Sequence, residues 1–239
     1  MKMNRKITRS DINLSEAWKI TRSRGKSELK RKLMERLGRN CSFTAKELLL
    51  CLLKDSDKWV RYDAADLVGY YRGSDVVRGL MERLNDSNEL VRINALESLG
   101  YIKARKAAKR ISLMMKDSKY IIRGYAGSVL GELAVRKYMK LIRIRYVEEG
   151  NEWVRLMFLR GLQKLGENVS IWDYVRFWFS TNYHVRCMLV NTMADLAKGA
   201  NKQIVLDFFR YGLSVEKSRS VSSTIRTCIS EIRHRSNSC

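Results

Sequence analysis

Carboxylates and tyrosines recur together along this chain: Asp63, Asp66 and Tyr70, then Glu97 and Tyr101, then Tyr125. A carboxylate beside a phenol can act as a general acid or base. It can also hold a partner by charge, with the tyrosine as an anchor. A second set is cationic: Lys103, Arg105, Lys106, Lys109 and Arg110, then Arg136, Lys137, Lys140 and Arg143, with Arg78 upstream. Residues 103–145 hold 13 basic against 2 acidic residues. Such clusters attract phosphate or carboxylate polyanions, and each phosphate contact releases counterions. Other chemistries have no footing. No glycine-rich phosphate loop, nucleophile elbow or His-Glu-x-x-His motif occurs. His184 and His234 have no second His or Cys at ligand spacing, so neither a metal nor a cofactor is expected.

The whole composition carries the same bias. The 239 residues include 47 Lys and Arg against 25 Asp and Glu, a formal net charge of +22. Hydrophobic residues make up 45% and the mean hydropathy is −0.34, enough apolar material for a packed core. No run reaches the roughly 18 apolar residues of a membrane span, and no signal peptide is expected. Cys41, Cys51, Cys187, Cys228 and Cys239 are odd in number and form no Cys-x-x-Cys pair, which suits free thiols in a reducing, cytoplasmic setting. Proline is absent, which favours helices joined by short turns.

The elements that position these side chains repeat. Asp55-Ser56…Val60-Arg61, Asp86-Ser87…Val91-Arg92 and Asp117-Ser118…Ile122-Arg123 share one pattern, with weaker copies at Glu149…Arg155 and Ser180…Arg186. The arginines are spaced by 31, 31, 32 and 31 residues. Beyond each lies a small or apolar residue at +3 (Ala64, Ala95, Ala126, Phe158, Leu189) and at +7 (Val68, Leu99, Leu130, Leu162, Met193), one face of a helix. Glycine at +8 (Gly69, Gly100, Gly131) suits close helix approach or the last turn before a C-cap. An amphipathic stretch precedes each acid. Every unit thus reads as helix, Asp-Ser turn, helix, with the Asp or Ser as N-cap of the second helix. A sixth unit spans about 200–235.

Period and pattern resemble the HEAT-repeat family, in the short form of the phycobilisome-lyase-like repeats, on the strength of Asp55, Val60, Arg61, Ala64, Gly69 and their copies. The resemblance implies an all-α, right-handed α-solenoid of five to six helix pairs, at about 43–72, 74–103, 105–134, 136–166, 168–197 and 200–235, within an array covering 41–235. It also implies a hydrogen-bonded ladder between adjacent repeats, built by Asp55, Asp86 and Asp117 with Arg61, Arg92, Arg123, Arg155 and Arg186. Ser180 stands where an acid belongs, so that rung should weaken. Residues 1–40, with 13 basic and 4 acidic residues, supply a basic arm (1–10) and a capping helix in which Leu29, Leu33, Met34 and Leu37 share a face behind Ser27-Glu28. Residues 236–239 are a tail.

Residues at +2, +5 and +9 from each arginine should line the concave face, placing Asp63, Asp66, Tyr70, Glu97, Tyr101 and Tyr125 there as a protein-binding surface. Lys106 and Lys137, and Lys109 and Lys140, lie 31 residues apart and should line up as a basic ridge. Trp59 and Trp153 should pack between helices. The aromatic run Ile171–Phe179 should serve mainly the core. The expected function is a non-enzymatic scaffold engaging nucleic acid, without sequence preference, or an acidic protein through the ridge, and a protein through the concave face. One alternative is a pure protein adaptor. The other is a HEAT-like DNA glycosylase for alkylated bases, to which a likeness would assign Asp63, Asp66 and Glu97 as catalytic acids.

Overall fold

The structure, a computed structural model, describes residues 13–38 and 42–234. The expected basic arm and the C-terminal tail lie outside the described residues. Every element within them is helical. Two compact units divide the chain, one ending at Leu133 and the other beginning at Ala134.

The first unit holds α1 (Leu14–Arg22), α2 (Ser27–Leu37), α3 (Phe43–Leu52), α4 (Lys58–Val68), α5 (Ser74–Arg83), α6 (Glu89–Tyr101), α7 (Ala108–Leu113) and α8 (Tyr120–Glu132). Short 3₁₀ turns, Arg105–Ala107 and Met114–Lys116, flank α7. The second helices stack in series, α2 on α4, α4 on α6 and α6 on α8. The second unit holds α9 (Met139–Glu148), α10 (Glu152–Lys164), α11 (Ile171–Val175) with a 3₁₀ turn Arg176–Phe179, α12 (Tyr183–Leu196), α13 (Asn201–Val215) and α14 (Arg219–His234). There α10 packs on α12 and α12 on α14.

One stripe builds each core. Val60, Ala64 and Val68 are fully buried, as are Val91, Ala95 and Leu99, then Ile122, Ala126 and Leu130. Val154, Phe158 and Leu162, and Val185, Leu189 and Met193, follow the same register in the second unit. Each fully buried Leu, Val or Phe contributes about 1.5–3 kcal/mol against exposure. The glycines at +8 fall where expected, Gly100 and Gly131 in the last turn before the C-cap and Gly69 at the C-cap of α4 itself, and Gly69 and Gly100 also allow close approach. A Cβ on Gly69 would meet Ser98 Oγ at 2.5 Å, and one on Gly100 would meet Glu132 Oε2 at 3.0 Å and Val129 Cγ1 at 3.2 Å. The left-handed residue that ends the helix comes three positions later, at Lys103 and Ala134, although neither is glycine.

The N-caps differ from expectation. Asp57, Asn88, Asn151 and Asn182 cap α4, α6, α10 and α12. The acid two residues earlier instead accepts that cap's own amide: Asp55 from Asp57 at 2.9 Å, Asp86 from Asn88 at 3.0 Å, Asp117 from Lys119 at 2.9 Å. One carboxylate oxygen fixes the turn, and its partner remains for a cation. Ser27 likewise does not cap α2; its hydroxyl donates to Asp57. Leu29 is exposed, while Leu33, Met34 and Leu37 are buried. Trp59 is 43% exposed and stands edge-on to Tyr62 rather than between helices.

Candidate partner-binding sites

Of the evenly spaced arginines, Arg61, Arg92 and Arg186 meet an acid of the following repeat. Arg61 grips Asp86 with Nε and Nη2, both at 2.8 Å, while Nη1 donates to the carbonyls of Asp55 and Ser56. Arg92 lies 3.4 Å from Asp117 and donates to the Asp86 carbonyl. Arg123 donates to the carbonyls of Asp117 and Ser118. In the second unit Arg186 forks onto Glu216 at 2.8 and 3.0 Å. Arg155 makes no such contact: its guanidinium lies over the Tyr146 ring, 5.2 Å from the centroid, and its Nε is buried without a hydrogen-bond partner. Hydrogen bonding to Arg186 holds the Glu216 carboxyl below its usual range, against the opposing effect of burial.

Two members of this series escaped the sequence pattern. Lys30 of α2 meets Asp55 at 2.5 Å, both side chains almost wholly buried, so α1 and α2 take the place of a repeat ahead of the first. Lys30 precedes Arg61 by 31 residues, and Leu33, Leu37 and Gly38 fall at +3, +7 and +8 from it; only the Arg-to-Lys change hides the register. Glu216 orders the last turn by accepting the Ser218 amide at 2.7 Å. It follows Arg186 by 30 residues, whereas Asp86 follows Arg61 by 25, because α13 is a longer first helix.

The cations of the first unit sort into two kinds. Lys103 and Arg105 donate to the carbonyls of Glu132 and Leu133, closing the end of α8. Arg78, Lys106, Lys109 and Arg110 are exposed and make no ion pair among the described residues. Arg72, Arg78, Lys103, Arg105 and Lys106 ring a hollow of about 570 Å³ floored by Val77, Met81, Ile102 and Ala104, with no acid in its lining.

The acid–tyrosine face of the same unit is crowded. Arg31 of α2 holds Asp63 at 2.6 Å. Loss of surrounding water pushes the Glu97 carboxyl up, the Tyr125 hydroxyl bond opposes this, and the charges of Asp66 and Glu132 push it further. Tyr70 and Tyr101 contact one another edge to face at 5.7 Å, which leaves no stacking slot between their rings. Asn94, expected to line the groove, is instead buried and donates to the Tyr62 carbonyl; Ser128 is buried as well.

In the second unit Lys137 and Lys140 are exposed without ion pairs among the described residues. Arg143 is bound by both oxygens of Glu167, at 2.6 and 2.7 Å, and Arg136 is exposed. The aromatic run divides. Ile171, Tyr174, Phe177 and Trp178 are buried, while Trp172 and Phe179 are 65% and 79% exposed. Among the described residues, no group of His, Cys, Asp and Glu is placed to hold a metal ion. No helix of the described residues is long and apolar enough to cross a membrane.

Comparison with known proteins agrees with this architecture. Residues 45–111 match the family model for HEAT repeats. A solved structure, the complex of CpcE and CpcF of phycocyanin lyase from Nostoc sp. PCC7120, superposes with a TM-score of 0.63 at 18% identity, covering 92% of this chain and 94% of that one. A designed armadillo repeat protein aligns with a TM-score of only 0.35 at 16% identity, covering 92% of this chain and 91% of that one. No curated protein matches the sequence. The repeated Arg-to-acid contacts, the buried stripe in 31-residue register and the structural likeness converge on one fold, an α-solenoid, of which residues 45–111 match HEAT repeats.

Proposed function

We propose that this chain is a non-catalytic protein-binding scaffold whose basic hollow, framed by Arg78, Lys103, Arg105 and Lys106, receives an acidic segment of a partner protein. The build of a HEAT array, a row of helix pairs presenting side chains along its faces, suits protein interaction. The observation that carries the reading is the hollow's composition: cations around an apolar floor, with no carboxylate in the lining. A phosphate backbone would satisfy the rim and leave the floor unused. A segment with both carboxylates and apolar side chains satisfies both. Lys103 and Arg105 are already anchored to the end of α8, so they present charge with little further loss of side-chain freedom.

The test is fluorescence anisotropy with a labelled peptide of alternating Glu and Leu and, separately, a labelled DNA duplex. The peptide should bind more tightly than the duplex at about 200 mM salt, where phosphate contacts are heavily weakened. Replacing Arg78 and Lys106 by Glu should weaken peptide binding by at least about tenfold, as expected for reversed charges at an interface, with helicity by circular dichroism unchanged. Duplex binding that outlasts peptide binding at that salt would replace this reading with a nucleic-acid one.

A further inference from the structure

Arg61, Arg92 and Arg186 are each satisfied by a carboxylate from the following repeat, Asp86, Asp117 and Glu216 in turn. Arg155 is the exception. The position that should supply its carboxylate is Ser180, whose hydroxyl donates to Glu152 at 2.5 Å. Three buried arginine Nε atoms lack a hydrogen-bond partner, at Arg83, Arg92 and Arg155. The first two are compensated by Asp86 and Asp117, each 3.4 Å away, whereas Arg155 has no carboxylate within ion-pair distance among the described residues. Its neighbour across Tyr146 is a second cation. Arg176 Nη1 donates to the Tyr146 hydroxyl at 3.3 Å while Arg155 covers the ring. Two guanidinium groups thus flank one phenol with no negative group between them. A partly buried guanidinium without a counter-charge is costly unless something supplies one.

We propose that Arg155, Arg176 and Tyr146 form an oxyanion site, the rung left open by Ser180, which takes a carboxylate or phosphate group presented from outside the chain. Arg155 offers the Nη groups of its fork, which are not closed off as its Nε is, and Arg176 a free edge of its own. The Tyr146 hydroxyl, accepting from Arg176, keeps its own proton to donate. The site does not rest on the proposed function, whose residues belong to the first unit.

The experiment follows arginine Nε–Hε signals of the ¹⁵N-labelled protein by NMR at fixed ionic strength. One arm titrates inorganic phosphate, the other a short Glu-containing peptide. Arg155 should shift saturably, and further than Arg160 and Arg210, which already hold Asp195 and Asp207. Response to phosphate identifies a free-anion source; response to the peptide alone identifies a partner's side chain. Ser180→Asp supplies the missing carboxylate within the chain, so it should melt higher without added anion and bind at least about tenfold more weakly, as for a charge-assisted site already filled. Should that variant fail to fold, Arg155→Met must abolish the extra rise in Tm that phosphate gives the parent over chloride. An Arg155 signal that moves with neither ligand, or that moves equally in Ser180→Asp, overturns the site.

Discussion

At the scale of single residues, the contact between Arg61 and Asp86 shows how one side chain serves two tasks. Burial alone would raise the Asp86 carboxyl. The Arg61 hydrogen bond, the Asn88 amide and the charges of Arg61 and Arg83 outweigh it, and the group is held below its usual range. The folded value lies under the unfolded one, so the stabilisation is complete above the ordinary carboxylate range and is lost as pH falls through the depressed value. Asp86→Asn should cost about 3 kcal/mol at neutral pH, by leaving Arg61 uncompensated. Urea unfolding across a pH series should show the variant losing less stability on acidification than the parent. Glu97 has the opposite sign. Its folded value is raised, so its favourable contribution is complete below the ordinary range and lost as pH rises through the raised value. Glu97→Gln should therefore raise Tm at neutral pH and leave it unchanged in acid, and scanning calorimetry at both conditions checks this.

At the scale of elements, the stacking of second helices depends on the absence of side chains at defined points. A Cβ at Gly69 would lie within 2.8 Å of both Oγ and Cβ of Ser98, on the neighbouring helix. Gly69→Ala should destabilise by about 1–3 kcal/mol, the range for overpacking a well-filled contact. Gly150→Ala, where nothing lies within 4 Å, should be neutral or slightly stabilising in the same urea titrations. The Arg and Asp spacing made the second helices readable, because a buried stripe at −1, +3 and +7 leaves a period of its own. The caps were less readable. Asp55 and Asp57 are chemically alike, and only the direction of the turn decides which one meets Arg61 or Lys30 and which one caps α4. The run Ile171–Phe179 was ambiguous for a related reason: α11 lasts five residues and passes into a 3₁₀ turn, changing the period so that Trp172 and Phe179 face water.

At the scale of the molecule, no repeat can bury its stripe alone, and within each compact unit a repeat depends on the ones stacked against it. In the second unit, α14 covers α12 with Val221, Ile225 and Ile232, all buried. A chain ending before α13 should expose Val185, Leu189 and Met193 and associate or precipitate, which size-exclusion chromatography reads directly. The surplus charge of +22 is not spread as one property. Part of it closes helix ends, part completes contacts between repeats, and part is exposed around the basic hollow.

The sequence by itself determined the helix pairs, their 31-residue register and the buried stripe, because each follows from spacing along one chain and from the period of a helix; the arginines' part in meeting the next repeat was implied by the resemblance to HEAT repeats. It also marked Ser180 as the acid that is missing. Only the tertiary structure decided which cations bond within the chain and which make no ion pair among the described residues. Lys103 meets a carbonyl 29 residues away and Arg143 a carboxylate 24 residues away, while Arg78 and Lys106 are left open at a hollow. Those pairings depend on where helices end and which turns they bring together. That is a matter of distance in space, which composition and period do not encode.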